Sequence, residues 1–184
     1  SSFDNLKVKS SQSEKTYTFD RMDDVVAAFD FYHSIYGEGV ATAADNTLAL
    51  HKTVSFQEGT LSVEVNTMNN FRDAGIVFGA DEDAKNYYLY RLTSKRYAEL
   101  VKVENGTETL LGKGYLSSCN NFQRLEVVRE GNRIACYYYN QFDNVKCYAV
   151  YEDEKPLTGT GVGIWAGTKE AGFRYLTISE DKAV

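Results

Sequence analysis

The chain has 184 residues, a net charge of −6 and 14 tyrosines in an aromatic content of 14%. That length is enough for one domain with a real core. The acidic balance disfavours DNA, RNA and anionic membrane surfaces, which call for a basic footprint, and no apolar run reaches the roughly 18 residues of a membrane-spanning helix. Tyrosine joins an apolar ring to a polar tip, which suits an exposed binding surface.

At the N-terminus, SSFDNLKVKS has no apolar stretch of the signal-peptide kind. Phe3-Asp4-Asn5-Leu6-Lys7-Val8 shares the pattern Phe-x-x-Leu-x-β-branched with Phe173-Arg174-Tyr175-Leu176-Thr177-Ile178. Two readings follow. Residues 1–14 are the end strand of a preceding module plus a linker, leaving 15–184 as the domain; or both strands pair within one domain and bring its ends together. The polar run Lys9–Lys15 favours the first.

Beyond it, Met22–Phe29 is predicted as a short helix. Strand-like runs are predicted at Thr16–Phe19, Leu48–Leu50, Gly59–Asn66, Ala74–Gly79, Tyr87–Thr93, Tyr97–Val103, Glu108–Tyr115, Phe122–Arg129, Arg133–Asn140, Lys146–Tyr151, Gly161–Ala166 and Phe173–Ser179. Asn105-Gly106 accepts φ > 0 at both centres of a type I′ hairpin, and Glu130-Gly131-Asn132 is given the same role. Even spacing without helix–strand alternation predicts an all-β fold, a two-sheet antiparallel β-sandwich of jelly-roll type. Cys119, Cys136 and Cys147 fit no zinc spacing. Cys136 and Cys147 flank a hairpin and could pair, but reduced, partly buried thiols are the plainer reading.

The runs Gly59–Asn66 (GTLSVEVN), Ala74–Phe78 (AGIVF), Asn86–Leu92 (NYYLYRL), Leu100–Gly106 (LVKVENG) and Phe122–Val128 (FQRLEVV), closed by Gly161–Ile164 (GVGI) and Phe173–Ile178, resemble the laminin-G-like, concanavalin-A-like jelly roll. The likeness spans roughly residues 16 to 180 and is most similar to the non-catalytic modules of bacterial glycoside hydrolases classed as family 66 carbohydrate-binding modules. It implies a cofactor-free module, covalently part of a larger multidomain enzyme that is extracellular or on the cell surface. Such a module would bind glycan ends, of fructan or of another plant or host polysaccharide. Relatives of the fold also include protein-binding adhesion modules and small glycoside hydrolases, so fold alone does not give function.

The residues suited to sugar binding are Arg72, Asp73, Tyr87, Arg91, Tyr97, Glu99 and Trp165. Alternation puts Tyr88, Tyr90 and Leu92 on one strand face and Tyr87, Leu89 and Arg91 on the other. If Arg91 and Glu99 are cross-strand neighbours, their planar fork and carboxylate could hold vicinal hydroxyls, with Tyr87 or Tyr97 stacked nearby; an ordinary surface ion pair weighs about equally. The loop Met68–Asp73 offers Arg72 and Asp73 at a rim. Trp165, the single tryptophan, could stack on a sugar ring or pack in the core, and Lys169 and Glu170 would then be rim contacts. Asp81 and Asp83 offer oxygen ligands for Ca²⁺, although a charged turn is more often simply solvated. Tyr137-Tyr138-Tyr139 could help stack a sugar from an edge strand, but a cross-strand aromatic ladder is the plainer reading. No nucleophile elbow, phosphate loop or zinc-protease motif is present; Glu64 and Glu99 are the carboxylates left for a glycosidase.

Overall fold

The computed structural model describes residues 46–67, 73–116, 122–140, 142, 144–168 and 171–179, and, as backbone strands, 2–4, 6–10, 13–17, 29–31, 35–36 and 42–43. The early strands are β1 (Ser2–Asp4), β2 (Leu6–Ser10), β3 (Ser13–Tyr17), β4 (Phe29–Phe31), β5 (Ile35–Tyr36) and β6 (Thr42–Ala43). Then come β7 (Thr47–Ser55), β8 (Gly59–Asn66), β9 (Ala74–Ala80), β10 (Asn86–Leu92), β11 (Tyr97–Glu104) and β12 (Thr107–Tyr115). The chain continues through β13 (Phe122–Glu130), β14 (Arg133–Tyr139), β15 (Val145–Glu152), β16 (Gly161–Ala166) and β17 (Gly172–Ser179). The helix expected over Met22–Phe29 lies outside the described residues except for Phe29, which opens β4.

Two sheets face each other, as the alternation predicts. One has the order β1-β17-β8-β13-β14-β15 and the other β12-β11-β10-β9-β16-β7-β4. Pairing is antiparallel except where β1 runs parallel to β17, with Phe3 opposite Phe173. Leu6–Ser10 and Ser13–Tyr17 form a hairpin within the polar N-terminal stretch.

The period of two in β10 and β11 sets the layers. Tyr88, Tyr90, Leu92, Ala98 and Leu100 point between the sheets, where they meet Leu61, Val63, Val65, Leu125 and Val127. The Tyr88 ring stacks on Phe78, centroids 5.2 Å apart. Each fully buried side chain of this size stabilises by about 1.5–3 kcal/mol relative to exposure. The seven-stranded sheet carries a second apolar layer on its other face: Leu48, Leu50, Val77, Leu89, Val101, Val103 and Trp165.

At one side the two sheet edges, β12 and β15, come together. Gly112 lies on Ala149 and Gly114 on the Tyr148 ring, where any Cβ would collide. The turns follow their residues. Asn105 and Gly106 both have positive φ, as type I′ requires. At the second hairpin only Gly131 does, the pattern of a II′ turn, so the two turns differ although one role was expected of both. Cys136 is buried in the core, and the Cys147 side chain lies outside the described residues.

Candidate functional site

A single row crosses the outer face of the seven-stranded sheet. Register places Lys113 opposite Glu99, Glu99 opposite Arg91, Arg91 opposite Gly75, Gly75 opposite Trp165 and Trp165 opposite Leu48. The expected cross-strand pair forms: Arg91 Nε donates to Glu99 Oε2 at 3.0 Å. Gly75 has no side chain between Arg91 and Trp165, and the guanidinium carbon sits 5.5 Å from the indole centroid.

A second carboxylate completes the arrangement. Arg91 Nη1 and Nη2 donate to the two oxygens of Glu108, each at 3.1 Å, a bidentate fork. The side chains of Arg91 and Glu99 are 17% exposed, and that of Glu108 is 49% exposed. Burial pulls the Arg91 pKa down, but Glu108 and then Glu99 outweigh it and hold the charge more firmly than usual. The Tyr87 hydroxyl is pushed up by burial and by the Glu108 carboxylate, against the pull of Arg91.

Glu108 was not legible as part of this row, and the reason is a bulge. Leu100 pairs with Gly112 but Val101 pairs with Leu110, so Leu111 is the extra residue. The extra residue reverses the alternation of β12, and Glu108 and Lys113 come to share the outer face although their numbers differ by an odd step.

Beside the row, Tyr97 pairs with Tyr115, rings edge to face at 5.7 Å. Lys113 Nζ lies 5.0 Å over the Tyr97 ring. Tyr115 is 56% exposed and offers an open aromatic rim. Trp165 is only 7% exposed, held in the outer apolar layer with Gly167 against its ring, so it supports Arg91 without presenting a free stacking platform.

The remaining expected residues are placed apart from the row or are not described. The Asp73 carboxylate accepts the Ser94 N–H, and its backbone joins the 167–168 turn: its N–H donates to Thr168 Oγ1 at 3.1 Å, and its carbonyl accepts from Gly167 at 3.0 Å. It ties three loops together. Arg72, Lys169 and Glu170 lie outside the described residues. Asp81 is engaged by its own turn, accepting from Lys85 N at 2.8 Å and Asn86 Nδ2 at 2.6 Å. Burial raises its pKa, but these bonds, led by the Asn86 side chain, hold it below the ordinary value. Asp83 pairs with Lys85 at 3.5 Å. Among the described residues no group of three or more His, Cys, Asp or Glu side chains is placed to hold a metal ion.

Sequence reasoning also missed a buried polar network. Tyr88 OH donates to Asp153 Oδ2 at 2.5 Å and accepts from Leu157 N at 3.0 Å. Lys102 Nζ pairs with the same carboxylate at 2.9 Å and donates to the Lys155 carbonyl at 2.7 Å, and Arg129 Nη2 donates to the Leu157 carbonyl at 2.7 Å. Lys102, Arg129 and Asp153 are all at most 6% exposed. This network fastens the 153–157 connection to the sheets. The signal was available in Lys102, a charge at an inward position of an apolar strand, which must find a partner.

Among solved structures, the chain is similar to the carbohydrate-binding module CBM66 from Bacillus subtilis. The two superpose with a TM-score of 0.66 at 17% identity, covering 82% of this chain and 94% of that one. The jelly-roll sandwich is their common fold. A Bacillus subtilis protein of unknown function with a galectin-like fold gives a TM-score of 0.58 at 9% identity, covering 86% and 91%. A Bacillus licheniformis beta-glucanase gives 0.51 at 11% identity, covering 71% and 69%. No family model matches the sequence, and no curated protein matches it.

Proposed function

We propose that this chain is a non-catalytic carbohydrate-binding module, working at the outer face of the seven-stranded sheet as part of a larger extracellular or cell-surface glycoside hydrolase. The observation that carries the reading is the Arg91 guanidinium, held flat by Glu99 and Glu108 in a half-buried row with aromatic rings beside it. Three of its five N–H groups are used by described residues, which leaves two for ligand hydroxyls. The carboxylates accept hydroxyl protons, and Tyr115 and Tyr97 give a ring face to the apolar side of a sugar. The fold shared with a module of this class supports the same reading.

A glycosidase needs two carboxylates across one groove, about 5–9.5 Å apart. Glu64 alternates with the core residues Val63 and Val65, and Glu99 with Ala98 and Leu100. They therefore lie on opposite outer faces of the sandwich and cannot flank one bond. Glu99 and Glu108 both bind Arg91, an arrangement for holding rather than for proton transfer.

The test uses the single tryptophan, 5.5 Å from Arg91. Oligosaccharides derived from levan, xylan and β-glucan are titrated while Trp165 fluorescence is followed and reducing ends are assayed. One class should give a saturable change, without released sugar, that Arg91→Met abolishes. Silence across the panel, or sugar release, overturns the reading.

A further inference from the structure

A further recess lies apart from the Arg91 row. It is a cleft of about 580 Å³ where β7, the start of β16 and the turn after β9 meet. Two irregularities of register open it. Between Gly161 and Gly163, two steps along β16, β7 runs from Ser55 to Leu50, five steps. Over the same interval β9 runs from Ala80 to Val77, three steps. Both neighbours of β16 thus bulge at one level, β7 by three residues and β9 by one, with Gly79 at φ +63°. Bulges bend strands and re-aim side chains, and they concentrate at binding sites.

The larger bulge is built around a buried histidine. His51 is 6% exposed, and its Nδ1 accepts the backbone N–H groups of both Thr53 and Val54 at 3.2 Å. That places the ring proton on Nε2 and folds Lys52, Thr53 and Ser55 outward. Thr158 and Thr160 face them from the connection before β16, and Glu82 from the turn after β9. All six are exposed.

We propose that this cleft is a second carbohydrate subsite, taking one or two hydroxyl-rich rings through hydrogen bonds alone. The inference rests on the carbohydrate-binding reading and extends it to a second site, whose lining shares no residue with the Arg91 row. The volume falls in the range of about 300–1,000 Å³ usual for small-molecule sites. The lining mixes an ammonium group, four hydroxyls and two carboxylates, which suits a ligand that both donates and accepts at every position. Asp81 and Glu82 disfavour a phosphorylated ligand, and no Phe, Tyr or Trp among the described residues lines the cleft, so stacking on such a ring is not its means of binding.

Two intrinsic reporters separate the two sites. His51 shares the chain only with His33, and Trp165 is alone. The same oligosaccharides are titrated into the full chain while imidazole proton resonances and tryptophan fluorescence are recorded together. The expected result is a saturable His51 shift that persists in Arg91→Met and is lost in Thr158→Tyr, which fills the cleft from an exposed position. A His51 shift without a Trp165 response supports the cleft and overturns the Arg91 face. A Trp165 response without a His51 shift overturns the cleft and leaves the face standing. Silence from both reporters removes both sites. The unmodified chain decides among these outcomes even if Thr158→Tyr does not fold.

Discussion

Two clusters in this sandwich each join a basic side chain to carboxylate, one buried between the sheets and one on an outer face. The Tyr88–Asp153–Lys102 network lies at most 6% exposed, and all its strong bonds are made within the chain. The Arg91–Glu99–Glu108 cluster sits on an outer face, one sixth exposed at Arg91 and half exposed at Glu108, with donors to spare. What separates them is strand parity. Lys102 and Tyr88 occupy inward positions, where an unpaired charge costs several kcal/mol. Arg91 and Glu99 occupy outward ones, where a ligand can still reach. The first cluster should therefore answer to stability measurements and the second to binding.

The largest expected effect breaks the inner network. Asp153→Ala leaves the buried Lys102 ammonium only the more distant Glu104 carboxylate, 3.7 Å away on an exposed side chain, and the Tyr88 hydroxyl without its acceptor. A loss of about 3–5 kcal/mol is expected, which for a chain of this size lowers Tm by roughly 6–20 °C. Sugar affinity of the remaining folded protein should not change. A variant with native Tm, or one with lost affinity at full folding, erases the distinction between the clusters.

Next comes the outer cluster. Arg91→Met removes the fork while keeping much of the stem that lies toward Trp165. Charge-assisted hydrogen bonds contribute about 1.5–3 kcal/mol each, so binding should weaken roughly 10- to 100-fold by calorimetry. Arg91→Lys should restore little, since an ammonium cannot serve Glu99 and both Glu108 oxygens in one plane. Stability should fall by only about 1 kcal/mol, because the cluster stays partly hydrated.

How much of this could be read from the chain depends on where alternation holds. Strands β8 to β17 follow the predicted runs within a few residues, because period two and the Asn105-Gly106 turn are local signals. The same parity sets Arg91 beside Tyr87 on one strand face and Glu99 beside Tyr97 on one face of the next, but it leaves Trp165 open between a ligand platform and the core. Parity fails at bulges, which are set by packing between strands and not by the local run. Leu111 is one such residue, and it concealed Glu108. The excess of β7 around His51 is another, and it concealed the cleft. Trp165 faces outward but is covered, because the outer face of its sheet carries an apolar layer that composition could not assign to one side. Asp153 carries no local signal of its buried role, since its partners Lys102 and Tyr88 lie 51 and 65 residues away in sequence.

Acid offers a finer test of the inner cluster. Burial raises the Asp153 pKa, but hydrogen bonds from Tyr88, Lys102 and the Lys155 N–H outweigh it and hold it below its ordinary 3.8. A depressed carboxylate contributes fully above its unfolded value, about 3.9, and loses that contribution as pH falls through the folded value beneath it. Tm should therefore be level down to about pH 4 and fall below it. Asp153→Asn should show a shallower fall, though not a flat one, because Asp81 is depressed in the same direction. An unchanged acid slope in Asp153→Asn removes this carboxylate from the account.

The smallest effect comes from the other outer face, whose residues look much the same on paper. On the six-stranded sheet the Arg124 guanidinium carbon lies 3.8 Å from the Tyr139 ring centroid, and Tyr139 OH donates to Glu126 at 3.0 Å. Burial, then Glu126, pushes the Tyr139 hydroxyl up. Here the cation rests on the ring itself, the Glu126 Oε2 atom is 4.0 Å from its Nε, and its side chain is 37% exposed. Glu126 meets Arg124 at the Nε edge, whereas Glu108 takes both Nη groups of Arg91. Arg124→Met should leave sugar affinity unchanged and cost about 0.5–1 kcal/mol, the value of a cation–π contact at an exposed site. If it weakens binding as much as Arg91→Met does, then residue type alone decides recognition, and the carboxylate clamp that distinguishes the Arg91 row has no part in it.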